Sequence, residues 1–526
     1  MKKHGRELWN AMVNLLNNSF VNSNRYYFKT MLIKTDQTEI QNYLVDASNY
    51  KGNCDEVFFP ETKADIISIL KSANTSKQKV TICGNRTGLT GGCVPNDGIL
   101  ISTDKLNRIT EINEIEKYAI VQPGVLLSEF IKLVEEKELF YPPDPTEKDC
   151  YIGGTVSTNA SGAKTFKYGP TRNFVTALEI ILPDGEEVYL ERGKLFARDN
   201  NLRLTSKSGK QIEIILPQYQ MPKTKHAAGY FIKENMDAID LFIGSEGTLG
   251  FITEIKLKLL DKPKNILSSV IFFNDESDGL NFIENARNES YKNRNENLSD
   301  NIDALALEYF DENTLKFLVE DFPNIPGKAQ AAVWFEQEFE EENEEQIFNK
   351  WIELIEKHNG DVQTAWFANN ENDRKQFGEF RHAVAWKVNE YISRNNILKV
   401  GTDIAVPDSS FREFYFFAKE KVKESGINQI AYGHFGNSHL HLNMLPKNEE
   451  QYSVAKNIYA ELCREGVKLN GTISAEHGIG KLKREYLLMM FGEQIIKQMA
   501  KLKKQIDPNL ILNYGNIIDP KYYENI

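Results

Sequence analysis

From about residue 41 the chain alternates short apolar runs with amphipathic stretches. Residues 60–74 predict a turn and then a helix, with Ile66, Ile67, Ile69 and Leu70 forming its apolar face. Residues 79–83, 98–102, 118–124 and 177–185 read as short strands, several closed by Pro or Gly turns. Residues 127–138 read as a helix between the third and fourth of these. Residues 191–226 break the rhythm with polar, basic and hydroxyl residues and predict an insertion or long loop. Composition shifts near Pro263, and residues 265–430 carry acidic helical patterns with fewer glycines. The acid run 336–345 predicts a solvated helix start, not a metal site. From Ser438 onward polar and apolar residues alternate with the period of a half-buried strand. His439, His441 and Asn443 then share one face, and Leu440, Leu442 and Met444 the other.

Length and composition narrow the class. At 526 residues the chain exceeds one compact core, so two or three domains are expected. The net charge of −12 argues against a nucleic-acid partner, which needs a basic footprint. A small anionic substrate stays compatible, since one Arg or Lys reverses the sign inside a pocket. The five cysteines contain no CxxC pair, which disfavours a disulfide framework or an iron–sulfur cluster held by this chain alone. Reduced thiols and a cytoplasmic setting are expected, soluble or peripheral at a membrane. No apolar run reaches transmembrane length. The start Met1-Lys2-Lys3 leads into a stretch broken by asparagines, without the apolar core of a signal peptide. Residues 1–40 are therefore read as an extension, with Met31 an alternative start.

Three glycine-rich segments carry the first chemistry: Gly84-Asn85-Arg86-Thr87-Gly88-Leu89-Thr90-Gly91-Gly92, Ile152-Gly153-Gly154 running to Gly162, and Gly244-Ser245-Glu246-Gly247-Thr248-Leu249-Gly250. Such loops bring backbone N–H groups close to phosphate. None is a GxGxxG turn in a βαβ unit or a Walker loop. Together with Pro142-Pro143-Asp144-Pro145-Thr146, Tyr168-Gly169, Ile506-Asp507-Pro508-Asn509 and Asn513-Tyr514-Gly515-Asn516, the series resembles the vanillyl-alcohol oxidase/PCMH superfamily of FAD proteins. Within it the chain is most similar to the FAD-dependent D-2-hydroxyacid dehydrogenases. The resemblance implies an α+β fold: a PCMH-type two-subdomain FAD-binding domain over residues 41–262, an α+β cap for substrate and metal over 263–483, and a C-terminal return over 484–526. It also implies that Gly84, Asn85, Arg86, Thr87, Gly88 and Leu89 line the FAD pyrophosphate. Pro143, Gly153, Gly154, Thr158, Asn159 and Gly162 then hold the rest of the cofactor, with Gly247 and Ile252 near the adenine half and Asn513 in the closing segment. No histidine lies between His4 and His226, so a histidyl–flavin link in the first loop is excluded and the FAD is expected to be non-covalent.

The second chemistry lies downstream. His434 sits in a glycine-flanked turn from which it can fold back onto the histidine-bearing strand. Clustered imidazoles suit zinc or a similar metal, the plain alternative being structural histidines. Ser474-Ala475-Glu476-His477-Gly478-Ile479-Gly480 is similar to the family's Ser-Gly-Glu-His-Gly-Ile-Gly motif. That match implies His434, His441 and Glu476 as metal ligands and His477 as the acid/base residue. The chain departs from the family at 436–441: many relatives read Gly-Asp-Gly-Asn-Leu-His, and here His439 is an extra imidazole without an assigned role. Phe380-Arg381-His382 looks like the family's substrate-arginine segment, with Arg381 a bidentate fork for a carboxylate. Lys399 is a second candidate cation, and Asn443 a hydrogen-bond donor to the substrate. Relatives that use hydroxyglutarate carry Thr one helical turn after the arginine, where this chain has Ala385.

These readings imply FAD- and metal-dependent oxidation of a D-2-hydroxyacid, D-lactate before D-2-hydroxyglutarate or glycolate. The expected partners are the hydroxyacid and an external electron acceptor: a quinone, an electron-transfer flavoprotein or a partner subunit. The alternatives are a non-redox transferase resembling alkyl-dihydroxyacetonephosphate synthase, and a non-catalytic flavin-binding subunit.

Overall fold

The computed structural model describes residues 31–395 and 398–524. Strand Glu56–Phe59 pairs in parallel with Ile99–Ser102, which pairs in parallel with Val80–Cys83. Helix Lys63–Ser76 packs on them through Ile66, Ile69, Leu70 and Ala73, with Ile67 at the margin. It begins at a reciprocal cap between Thr62 and Asp65, which satisfies two otherwise orphaned N–H groups. Leu32–Lys34 adds an antiparallel edge strand, so the chain joins this sheet within the stretch read as an extension. The signal-peptide reading falls on residues 1–30, outside the described residues.

A second sheet is antiparallel, in the order Ile109–Asn113, Tyr118–Val121, Phe251–Lys258, Val175–Ile181, Glu187–Glu191. The long loop expected over 191–226 instead contains a hairpin, Asn201–Thr205 against Gln211–Ile215. Leu202, Leu204 and Ile214 are its buried positions; the polar outer face masked the alternation.

The third sheet has eight strands. Its order is Trp366–Phe367, Asn265–Phe273, Ala331–Phe339, Ala306–Asp311, Asn428–Gly433, His439–Leu445, Val400–Gly401, with Ile404–Ala405 also paired to His439–Leu445. The acidic patterns of 265–430 belong to helices laid over this sheet, among them Glu276–Glu296 and Glu344–Lys357. Trp351 on the second of these stacks on Phe335 of the sheet at 3.9 Å. The expectation for the acid run needs correcting: Glu336–Glu338 continue strand Ala331–Phe339 and Glu336 is buried, so only the later part is a solvated helix start.

Helix Arg484–Ile506, interrupted at Gly492, carries the chain back to the first sheet, where Leu512 bridges Val80. Lys503 is fully buried there and donates to Asp507 Oδ2 at 2.8 Å, Thr248 O at 2.7 Å and Leu512 O at 2.9 Å. Losing one partner of such a buried pair costs about 3–5 kcal/mol, so the return is firmly held. It also braces the glycine segments, because Asn513 accepts from Ile82 N at 2.8 Å and donates to Glu246 O at 3.1 Å. All five cysteines are free thiols. Among the described residues, no helix is long and apolar enough to cross a membrane.

Candidate active site

Strand Asn428–Gly433 reverses into strand His439–Leu445 through a one-turn helix, Phe435–Asn437. Gly433 makes the reversal possible: its φ is 139°, and a Cβ there would lie 2.9 Å from His439 O and 3.0 Å from His441 N. The fold-back sets His434 beside the strand's polar face. His434 Nε2 lies 3.0 Å from Glu476 Oε1, and His441 Nε2 lies 3.6 Å from Glu476 Oε2. His439 Nδ1 lies 3.9 Å from Glu476 Oε1. One ligand atom from each of these four residues falls within 4.8 Å of the others. Side chains of these types gathered this closely could hold a metal ion.

The outer side of each ring is also held. His434 Nδ1 is 2.6 Å from Glu308 Oε1, His441 Nδ1 donates to Thr402 O at 3.3 Å, and His439 Nε2 is 3.1 Å from Asp403 Oδ1. Such outer acceptors fix the orientation of metal-binding imidazoles. Burial, reinforced by His441, pushes the His439 imidazole well below its ordinary pKa. Burial lowers His441 too, so both rings are neutral and ligand-ready at neutral pH. Burial opposes ionisation of Glu476, but His434 and Lys225 hold its carboxyl well below the usual range. Burial likewise opposes ionisation of Glu308, yet His434 and Arg381 hold it at about 2. The donor set and its outer acceptors fit a divalent metal.

His477 lies beside this cluster, its ring 5.8 Å from that of His441. Its Nδ1 is 3.2 Å from Asp403 Oδ2. Asp403 is a buried hub. Oδ1 accepts from Ala475 N and Glu476 N, while Oδ2 accepts from His477 N, Ser474 Oγ and Lys483 Nζ. One carboxylate therefore shapes the whole 474–477 turn and orients its histidine.

Arg381 also reaches the site. Its Nε donates to Glu308 Oε2 at 3.2 Å and Nη1 donates to Thr146 Oγ1 at 2.7 Å. It thereby links helix Glu371–Asn395 to His434, through Glu308, and to the proline-rich segment. Asn443 donates to Tyr432 Oη at 3.2 Å and stands two residues beyond His441. Lys399 precedes strand Val400–Gly401, which pairs with Met444 and Asn443, but among the described residues it forms no hydrogen bond or ion pair.

The glycine segments converge on the same region. Gly84–Leu89 follow strand Val80–Cys83, and the Arg86 guanidinium lies over Tyr43, 4.6 Å from the ring centre. Gly153, Gly154 and Thr158 lie on helix Ile152–Thr158, which ends at Asn159 with φ 50°. Ser161, in the loop that follows, donates to Glu476 Oε1 at 3.2 Å and so couples the second glycine segment to the imidazole–carboxylate cluster. Glu246, in the third segment, accepts from Ile479 N and Gly480 N at 2.7 Å each, just past His477. Its neighbour Gly247 packs against Asn513. Pro143 is buried nearby in sequence to Thr146, and Ile252 is buried on strand Phe251–Lys258.

Residues 54–191 match the family described as FAD binding domain, and residues 292–517 the family described as FAD linked oxidases, C-terminal domain. Glycolate oxidase subunit GlcD from Bacillus subtilis (strain 168) is 30% identical over 482 residues, covering 90% of this chain and 91% of that protein. The chain belongs to the FAD-linked oxidase family. A D-lactate dehydrogenase from Anaerostipes hadrus is 29% identical over 466 residues, 86% of this chain and 87% of that protein. Among solved structures, 4-ethylphenol oxidase from Gulosibacter chungangensis has a TM-score of 0.65 at 17% identity, covering 96% of this chain and 98% of that one. That likeness shows the fold alone, the PCMH-type α+β arrangement. The chain is an FAD-dependent oxidoreductase acting on CH–OH groups.

The glycines divide in a way that fits an FAD-linked oxidase. A Cβ on Gly154 would meet nothing within 4 Å, and on Gly84 or Gly88 only one atom, at 3.9 Å. These positions leave their backbone uncovered. Gly162 differs, since a Cβ there would lie 1.7 Å from Asp144 O; it is required by chain packing. Sequence reasoning missed Asp403, Glu308, Glu246 and Lys225. Lys225 Nζ contacts Glu476 Oε1, with its side chain only 4% exposed. Glu308 stands alone in the apolar run 304–310, and an isolated acid inside a strand-like run was the available signal for it.

Proposed function

We propose that this chain oxidises a D-2-hydroxyacid to the 2-oxoacid, with FAD and a divalent metal, zinc by the chemistry of its ligands, as cofactors. When bound, FAD accepts the hydride and the metal acidifies the substrate hydroxyl. His434, His441 and Glu476 hold the metal in this reading. Gly84–Leu89, Gly153, Gly154, Thr158 and Asn159 hold the flavin, with Gly247, Ile252 and Asn513 behind them.

The protein's own groups then have definite tasks. Asp403 keeps the His477 proton on Nδ1, which leaves Nε2 to take the hydroxyl proton. Arg381, anchored by Glu308 and Thr146, directs positive charge at the substrate carboxylate. Asn443 adds a donor on the histidine face, as Lys225 adds a cation beside Glu476. The single observation that supports the reading best is Asp403 itself, which touches both the imidazole cluster and His477. In this reading reoxidation falls to an external acceptor: a quinone, an electron-transfer flavoprotein or a partner subunit.

Anaerobic stopped-flow reduction of the flavin by D-lactate, L-lactate, glycolate and D-2-hydroxyglutarate tests this reading, together with elemental analysis. D-lactate reduces fastest and one divalent ion is found per flavin. Faster reduction by L-lactate, or full activity without a stoichiometric metal, overturns it.

A further inference from the structure

His439 is the feature that the family pattern does not account for. It lies on the same strand face as His441, with ring centres 4.3 Å apart, and its ring centre is 5.3 Å from that of His434. Its side chain is fully buried. Asp403 Oδ1 can only accept from the ring, so the proton sits on Nε2 and Nδ1 carries a lone pair. That Nδ1 has no hydrogen-bond partner. An unsatisfied buried acceptor costs about 1–3 kcal/mol. The same Nδ1 faces Glu476 Oε1 at 3.9 Å, and one ring nitrogen each of His434 and His441 lies within 4.8 Å of it.

We infer that His439 is a fourth protein ligand of the metal, bound through Nδ1, with Asp403 as its outer partner. The inference rests on the metal reading above and enlarges its ligand set to three imidazoles and one carboxylate. His434 and His441 turn Nε2 inward while His439 turns Nδ1 inward. The difference follows from their anchors: Glu308 and Thr402 hold the first two by Nδ1, and Asp403 holds the third by Nε2. Three imidazoles favour zinc over magnesium or manganese, which prefer oxygen donors. Where many relatives carry Asn at this position, the present chain gains affinity for a borderline metal.

X-ray absorption at the zinc edge of the zinc-loaded, FAD-bound enzyme counts imidazoles directly and needs no variant. Three are expected for the wild type and two for His439→Asn. Chelator competition should show His439→Asn binding zinc more than about 100-fold more weakly, a larger loss than outer-shell substitutions cause. Its flavin content should be unchanged, since His439 touches none of the glycine segments. Two imidazoles in the wild type, or unaltered affinity in His439→Asn while His434→Ala loses the metal, overturns the role of His439 and leaves the metal reading intact. Absence of a stoichiometric metal from wild type and variants alike overturns both. Should His439→Asn not fold, the wild-type spectrum decides alone.

Discussion

Asp403 Oδ2 lies 3.2 Å from His477 Nδ1, and the same oxygen accepts from the His477 backbone N–H at 3.1 Å. The carboxylate thus sets both the place of the residue and the orientation of its ring. His477→Gln is expected to slow flavin reduction about 10²–10⁴-fold, the usual contribution of a positioned acid or base. FAD and metal content should stay at wild-type levels. Asp403→Asn should slow reduction as much and also lower the melting temperature, because buried N–H donors lose their acceptor. Rapid-mixing kinetics with parallel thermal scans separate the two. Undiminished reduction by His477→Gln would rule out its role as base.

The contrast between Gly154 and Gly162 tests the cofactor cradle. Gly154→Val introduces a side chain into open space, so the chain should fold with little change in melting temperature. FAD affinity should fall about 10–100-fold, the equivalent of 1–3 kcal/mol of overpacking. Gly162→Val should instead prevent folding, since its Cβ collides with Asp144 O. Flavin fluorescence titration of the soluble protein checks the first, and the yield of folded protein the second. Normal FAD binding by Gly154→Val removes that residue from the cradle.

Much of the fold was legible because its signals are local. The helix Lys63–Ser76 and the strands Val80–Cys83 and Ile99–Ser102 follow from apolar spacing bounded by turns. The histidine face of His439–Leu445 follows from a period of two. The hairpin at 201–215 was hidden because only one face is buried, and its outer residues mimic a loop. The third sheet was hidden because Asn265–Phe273 and Ala331–Phe339 are largely buried apolar runs, which periodicity does not assign to strand or helix. The ends of the imidazole cluster were visible as motifs. The partners of Asp403, Glu308 and Glu246 were not, because each acts across a long sequence separation; an isolated acid such as Glu308 marks a position but not what it pairs with.

Glu246 predicts a pH dependence. Burial raises its carboxyl to about 7, against the pull of the Ile479 and Gly480 N–H groups and of Lys481. A carboxyl raised in the folded state contributes stability below its unfolded value of 4.5 and loses it as pH rises through about 7. The loss across that window is about 3.5 kcal/mol at most, from about 1.4 kcal/mol per pH unit. Glu246→Gln removes the titrating proton. The stability of wild type relative to Glu246→Gln should therefore decline from pH 4.5 to 7 and level off above it. Urea denaturation at several pH values measures this, and a flat or rising difference contradicts it.

Ala385 decides the last expectation. It lies four residues after Arg381 on helix Glu371–Asn395, so both sit on the same helix face. A hydroxyl at that position would extend the cationic site toward a second carboxylate, which D-2-hydroxyglutarate has and D-lactate lacks. A hydrogen bond to a charged group contributes about 1.5–3 kcal/mol, or roughly one to two orders of magnitude in specificity. Ala385→Thr should therefore raise kcat/KM for D-2-hydroxyglutarate relative to D-lactate by about 10–100-fold. The D-lactate reaction itself should change little, because Arg381 keeps its anchors on Glu308 and Thr146. Steady-state assays of both substrates with an artificial acceptor give the ratio directly. An unchanged ratio, or a wild type that already prefers D-2-hydroxyglutarate, means that the second carboxylate is read elsewhere, and Lys225 and Lys399 become the next cations to replace.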